Sequence, residues 1–397
     1  MFGGLARSRR AVVLLVAVWV VTRAAGAWLA DHPDAYAGGP ITGDPELYRF
    51  WASALLDRKL PPYQGVRIEY PPGALPFIVA PALWSGAGGA YRTGLIALML
   101  ACDALGLAGV AALANRWGST VGAWLWVALV PLLGPIAYVR LDLVPAVASI
   151  WALERAAAGA WLTSGAWWGF GALAKLYPAL LLPGAWLTAR RPLRLLVGAA
   201  VVMMIALAPL AGSLGALLDS VVGYHSQRGI QVESTWGLVL LVAGRAGYPV
   251  SVAFNFGAFH VAAAIAPLLE GMSTVLSLGA LAGGSLWLRA RVAPGDVPQM
   301  AAGLFGVLSL ILAVAPVLSP QFLLWAIALG AAAACAPAPG PAAVLLLAPA
   351  AALSQYLYPF AYGRLLAGGG IALAALAVRN ALLGAAGAVA LRRLGRG

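Results

Sequence analysis

GDPELYRFWASALLDRKLPPYQGVRIEYPPG, residues 43 to 73, is the longest polar interval near the start of an otherwise apolar sequence, and its reading decides the fold. Taken as a helix from Pro45, it sets Leu47, Phe50, Trp51, Ala54 and Leu55 on one face at i, i+3, i+4, i+7 and i+8. A helix with that stripe lies along a membrane surface. Asp44 stands at the N-cap position and Pro45 at the first helical position. Tyr63 and Glu69-Tyr70-Pro71-Pro72-Gly73 close the interval with an extended, turn-forming segment.

The sequence around this interval is too apolar for a soluble globule: 62% of its 397 residues are hydrophobic and 10% are charged. It reads as an all-α polytopic membrane protein of about 12 transmembrane or half-membrane helices. The net charge of +12 comes from scattered arginines, without the basic clusters and interleaved aromatics of a nucleic-acid surface. Nucleic acid is therefore excluded as a partner, and membrane lipids are expected. Cys102 and Cys335 lie in apolar runs and read as small core residues, with no disulfide framework and no metal-ligand spacing.

Working outward, Arg7, Arg9 and Arg10 precede an apolar run from Ala11 to Ala30, which delivers residues 43 to 73 to the outer face. Ala74 to Trp84 is too short to cross and dips into the membrane. Spans are expected at Tyr91 to Ala114, Thr120 to Tyr138 and Leu143 to Ala157. Between Arg155 and Arg190-Arg191, parity forbids a single span, and two half-length helices turning at Lys175-Leu176-Tyr177-Pro178 fit instead. Leu195 to Ala211 leads to a long external region, Gly212 to Gly271. The remaining spans fall at Met272 to Leu288, Met300 to Leu318, Phe322 to Cys335, Ala342 to Tyr358 and Ile371 to Leu391, and Cys335 to Pro341 reads as a tight inner turn. Arginines, Arg396 among them, collect in the inner loops and most acids outside, so both termini are expected in the cytoplasm.

Each polar residue that remains has a structural and a functional reading. Asp44 caps a helix or accepts a proton, and the two are compatible, since a helix N-terminus favours negative charge. Glu46 complements the same dipole. Arg140 and Asp142 form a helix-end ion pair or mark a substrate path. Lys175 is one of only two lysines, and at a half-helix turn it reads as a fixed cation for an anionic group. His225, Arg228 and Glu233 sit in a polar loop where solvation is the default. Gln321, after Ser319-Pro320, starts a span or faces a site.

GDPELY, PPY and EYPPGALPFIVAPAL, followed in order by RLDLVPAVASIWAL, GALAKLYPALLLPGAWL, YHSQRGIQVESTWG and SPQFLLWAI, resemble the polytopic glycosyltransferases of the GT-C type. Within that type the set is similar to glycosyltransferase family 87, the actinobacterial polyprenyl-phosphate-mannose-dependent mannosyltransferases. The resemblance implies a GT-C fold in one integral membrane domain over residues 1–397. A catalytic module would span 1–211 with its external loop at 31–90, an external region 212–271, and C-terminal helices 272–397. It implies an enzyme of the cytoplasmic membrane with its site on the external face. That enzyme would transfer a sugar with inversion from a polyprenyl-phosphate donor to a lipid-linked or glycan acceptor, with no cofactor and no required metal. Asp44 occupies the position of the family's base. Lys175, Arg140 and Arg228 are expected to hold the departing phosphate. Glu46, Tyr48, Glu69, Tyr70, Asp142, His225, Glu233 and Gln321 are expected to line the substrate pocket. An arabinofuranosyl- or glucosyltransferase is the alternative within this class, and a lipid or sugar transporter or flippase is the alternative outside it.

Overall fold

The computed structural model describes residues 9–36, 43–85, 90–338 and 340–395. Arg7, Arg396 and part of the Cys335 to Pro341 turn lie outside the described residues. Among the described residues, seven helical stretches are long and apolar enough to cross a membrane: Arg9–Asp31, Tyr91–Trp117, Pro192–Ser226, Ala266–Arg291, Val297–Val314, Ala342–Phe360 and Gly370–Arg392. Shorter apolar helices fill the space between them, so the protein is an all-α polytopic membrane protein with a small sheet at one end.

Helix α1 (Arg9–Asp31) is mostly exposed to the lipid side, as its apolar composition requires. Its Arg23 is 2% exposed because it turns inward to Asp103 of α4 (Tyr91–Trp117). Arg23 Nε donates to Asp103 Oδ2 at 2.8 Å, and its other nitrogens donate to the carbonyls of Val127 and Trp126. Trp19, Trp126 and Tyr138 also donate to the Asp103 carboxylate. Every lone-pair direction of the carboxylate is thereby used, which is what makes a charge tolerable at membrane depth.

Between these two spans lie α2 (Asp44–Leu56) and the short α3 (Leu75–Ser85). Helix α2 is amphipathic, but its buried face is Pro45, Tyr48, Trp51, Ala52 and Ala54; Phe50, expected on the apolar stripe, is exposed, and Leu47 and Leu55 are half-buried. The single span expected from Thr120 to Tyr138 is broken: α5 (Val121–Leu129) runs into a 3-10 turn at Pro131, and α6 (Ile136–Val139) follows Gly134-Pro135. Proline removes a backbone donor, and Gly134 has φ +65°, so the helix cannot continue. Helix α7 (Leu143–Ala157) is followed by α8 (Trp161–Ala174) and α9 (Tyr177–Thr188), the two half-length helices, which meet at Lys175 and Leu176.

Helix α10 (Pro192–Leu207) packs backbone to backbone on α8: a Cβ on Gly165 would strike the carbonyl of Leu195, and one on Gly198 that of Leu162. The helix does not stop near Ala211. It continues through α11 (Leu214–Leu218) and a π turn to α12 (Tyr224–Ser226), making one 35-residue rod from Pro192. Residues 212–271 are thus no open loop. They comprise the end of this rod, strand β1 (Ile230–Gln231), α13 (Thr235–Arg245), strands β2 (Ser251–Asn255) and β3 (Ala258–Ala262), and the start of α14 (Ala266–Arg291). The sheet is antiparallel in the order β1-β3-β2, with Ile230 opposite Val261 and Asn255 opposite Ala258. Phe256 and Gly257 turn the β2–β3 hairpin with φ of +47° and +69°, the left-handed backbone of a tight two-residue turn.

Two buried helices, α15 (Val297–Val314) and α16 (Leu323–Ala333), form the centre of the bundle. Helices α17 (Ala342–Leu345), α18 (Leu347–Gln355) and α19 (Tyr362–Leu366) lead to α20 (Gly370–Arg392), which packs on α15.

A polar cavity under an amphipathic helix

The N-terminus of α2, the turn before α3, the α6–α7 and α8–α9 breaks, the end of the 192–226 rod, the sheet and the start of α16 converge on a cavity of about 420 Å³. Each break in a helix leaves irregular backbone that is tolerated at depth where it lines a cavity. Asp44, Glu69, Tyr70, Arg140, Lys175, His225, Arg228, Glu233 and Gln321 all line it.

Asp44 is not the N-cap of α2. Gly43 takes that place with φ +117°, and Asp44 is the first helical residue. The carboxylate of Glu46 accepts from the Gly43 N–H at 3.0 Å and pairs with Arg92 at 3.0 Å. Glu46 therefore closes the capping box from the third helical position and lies outside the cavity wall, contrary to expectation. Its pKa is lowered: burial opposes the charge, but the Gly43 N–H and Arg92 together outweigh it. Released from capping, Asp44 turns to Arg140, with Oδ2 and Nε 2.5 Å apart.

Asp142 does not pair with Arg140. It is fully buried and accepts from Lys175 Nζ at 2.8 Å and Trp325 Nε1 at 2.9 Å, so it supports the wall from behind and does not line it. Above this carboxylate the Lys175 ammonium lies 5.2 to 5.4 Å from the ring centres of Tyr70, Phe322 and Trp325. Tyr48, also expected in the pocket, is 0% exposed, and its hydroxyl meets that of Tyr70 at 2.8 Å. It orients Tyr70, which does face the cavity.

On the opposite side Tyr224 donates a hydrogen bond to Glu69, and the Arg228 guanidinium stacks 5.9 Å from the Tyr224 ring. Burial raises the pKa of Glu69, an effect that Tyr224 and Arg228 partly oppose. Arg228 Nε is buried without a hydrogen-bond partner. A third group is formed by Gln231, Glu233, Ser319 and Gln321. Glu233 is 2% exposed, and burial pushes its pKa up to about 7 against the opposing charges of Arg379 and Arg140.

The sequence reading passed over Gln231, Phe254, Phe256, Phe259, Tyr358 and Tyr362, which also line the cavity. Strand β3 shows no strict alternation; the Gly257 turn between two short aromatic runs is the local signal that a hairpin, and with it an aromatic wall, forms here. Among the described residues, no group of three or more His, Cys, Asp or Glu side chains is placed to hold a metal ion.

Fold and site define a polytopic membrane protein whose polar cavity sits at one end of the helical bundle, under an amphipathic helix and a small sheet. The protein is similar to ArnT from Cupriavidus metallidurans, whose crystal structure was determined bound to undecaprenyl phosphate. The two share 18% sequence identity at a TM-score of 0.50, over 96% of this chain and 76% of that one. The likeness is one of fold, and the fold is GT-C. The sequence matches no family model and no curated protein.

Proposed function

We propose that this protein is an inverting glycosyltransferase that moves a sugar from a polyprenyl phosphate to a lipid-linked or glycan acceptor at the outer face of the cytoplasmic membrane. Mannose is the sugar that the sequence resemblance favours. The observation that carries the reading is the convergence of Asp44, Arg140, Lys175 and Arg228 on one cavity. The shared fold with a protein that binds undecaprenyl phosphate supports a donor of that class.

In this reading the acceptor hydroxyl attacks the anomeric carbon as the carbon–oxygen bond to phosphate breaks. Asp44 takes the hydroxyl proton, a contribution of about a hundred- to ten-thousandfold. The polyprenyl phosphate departs with the bonding pair, and its charge is met by Lys175 and Arg228, with Arg140 between phosphate and base. Fixed cations in a partly dehydrated site stabilise that leaving charge without reorganising. The Asp44–Arg140 pair holds the cavity in a resting arrangement, and an arriving phosphate competes with Asp44 for the guanidinium. Glu69 and Tyr70 flank the sugar, and no metal is required.

Purified protein incubated with radiolabelled polyprenyl-phosphate sugars and a membrane lipid extract tests this. Label transferred to an acceptor, with undiminished rate in excess chelator, is expected. Transport of the intact lipid without cleavage of the sugar–phosphate bond would overturn it, and activity restored only by added magnesium or manganese would overturn the metal-free mechanism.

A further inference from the structure

The end of the cavity formed by β1 and the turn before α16 carries two buried oxygens without partners, Glu233 Oε1 and Gln321 Oε1. Their residues are 2% and 3% exposed. A buried polar atom left unpaired is costly, so two on one wall point to a ligand.

Hydrogen bonds anchor Glu233 and its neighbour Gln231, while Arg379 Nε, Arg379 Nη1 and Asn380 Oδ1 behind them are buried without a partner of their own. Glu233 Oε2 accepts from Gln231 Nε2 at 3.2 Å, and the Glu233 carbonyl accepts from Arg379 at 2.7 Å and Asn380 at 3.4 Å. Gln231 also donates to Ser319 Oγ at 3.0 Å and accepts from the Leu318 N–H at 3.0 Å. Helix α20 and strand β1 thus fix Glu233, and Gln231 ties it to the Leu318-Ser319 segment that leads to Gln321.

We propose that Glu233 and Gln321 form a shelf that binds hydroxyl groups of a neutral sugar ring. The proposal rests on the glycosyltransferase reading above and names what one end of that cavity recognises. A phosphate is repelled by the carboxylate. The amide end of Gln321 presents both an acceptor and a donor, and a hydroxyl answers both. Burial brings Glu233 to the middle of its titration near neutrality, so its free oxygen accepts in one state and donates in the other. A hydroxyl suits both states, whereas an ammonium suits only the ionised one. The ring belongs either to the donor sugar or to a sugar of the acceptor, and the chemistry of recognition is the same.

The test uses the full-length protein in nanodiscs, titrated with undecaprenyl phosphate and with undecaprenyl phosphate mannose. Gln321→Leu and Glu233→Gln are expected to bind the sugar-free lipid within about twofold of wild type and the mannosyl lipid about tenfold more weakly. If the shelf holds the acceptor sugar, donor binding stays put and the KM for a membrane-lipid-extract acceptor rises about tenfold. A series of monodeoxy mannosyl lipids on the wild type probes the same contacts without altering the protein, and at least one member is expected to lose about tenfold in the donor case. The shelf is overturned if neither donor affinity nor acceptor KM moves, or if both lipids weaken by the same factor. Wild-type protein that binds neither lipid would overturn the glycosyltransferase reading and the shelf together.

Discussion

Asp44 and Glu46 share the first turn of α2 and do different work: one faces the cavity and one closes the helix. Substitution separates these roles. Asp44→Asn keeps side-chain size and the Gly43–Glu46 cap but removes the charge that pairs with Arg140, so the melting temperature should fall modestly and the donor phosphate should bind at least as tightly, while transfer falls by about a hundredfold or more. Glu46→Gln weakens the cap and the Arg92 pair on an exposed surface and should lower activity only mildly. Near-normal turnover in a stable Asp44→Asn protein would move the base to Glu69 or Glu233. Asp142, buried beneath Lys175, is no longer a candidate.

Glu233 gives the residue scale a pH signature. Its folded pKa, about 7, lies above its ordinary value, so the folded state binds the proton more tightly than the unfolded state. The stability tied to that proton is fully present below the ordinary carboxyl pKa and is lost as pH rises toward and through about 7. Wild type should therefore lose melting temperature relative to Glu233→Gln between about pH 4.5 and pH 7.5. Parallel melting profiles for the two proteins would show that Glu233 does not titrate in this range.

At the scale of elements, the packing of α8 on α10 depends on glycines where the two backbones touch. Gly165→Ala forces a methyl group into the Leu195 carbonyl, an overpacking that costs about 1–3 kcal/mol. Gly279→Ala, on an α14 surface where a Cβ meets nothing within 4 Å, should be neutral or slightly stabilising. Thermal unfolding of the two variants in the same detergent checks the contrast, and equal melting temperatures would mean the helices separate at no cost. Activity should fall with Gly165→Ala, because the α8–α9 break places Lys175 in the cavity.

At the scale of the molecule, the arginine asymmetry of the sequence is the basis for proposing that the cavity end faces outward. Single cysteines introduced at Gln64 and Arg228 should react with a membrane-impermeant thiol reagent added to intact cells, and one at Arg190 should not. Labelling of the Arg190 site with protection of the other two would invert the topology and place the cavity in the cytoplasm.

Properties set by local chemistry were legible in the sequence. The apolar runs require a membrane, and the mixture of polar and apolar positions from Leu47 to Leu55 required an amphipathic α2, although its buried face centres on Tyr48 and Trp51 and leaves Phe50 exposed. Proline and charge at Lys175 to Pro178 required a helix break. These follow from propensity and hydrophobic periodicity within a few turns of chain. Choice of partner is not local. Asp44 could accept from the backbone N–H groups of a helix N-terminus or pair with a cation, and only the approach of the α6–α7 break, bringing Arg140, decided between capping and pairing. Asp142 took Lys175 instead of its neighbour Arg140 because the α8–α9 break delivers the ammonium directly above it. Glu233 and Gln321 are far apart in sequence, and Arg379 and Asn380 come from the last helix. Their union needs the packing of α20 on α15 and the short sheet, because hydrogen bonds act only at contact distance while the chain leaves their assembly to the tertiary fold.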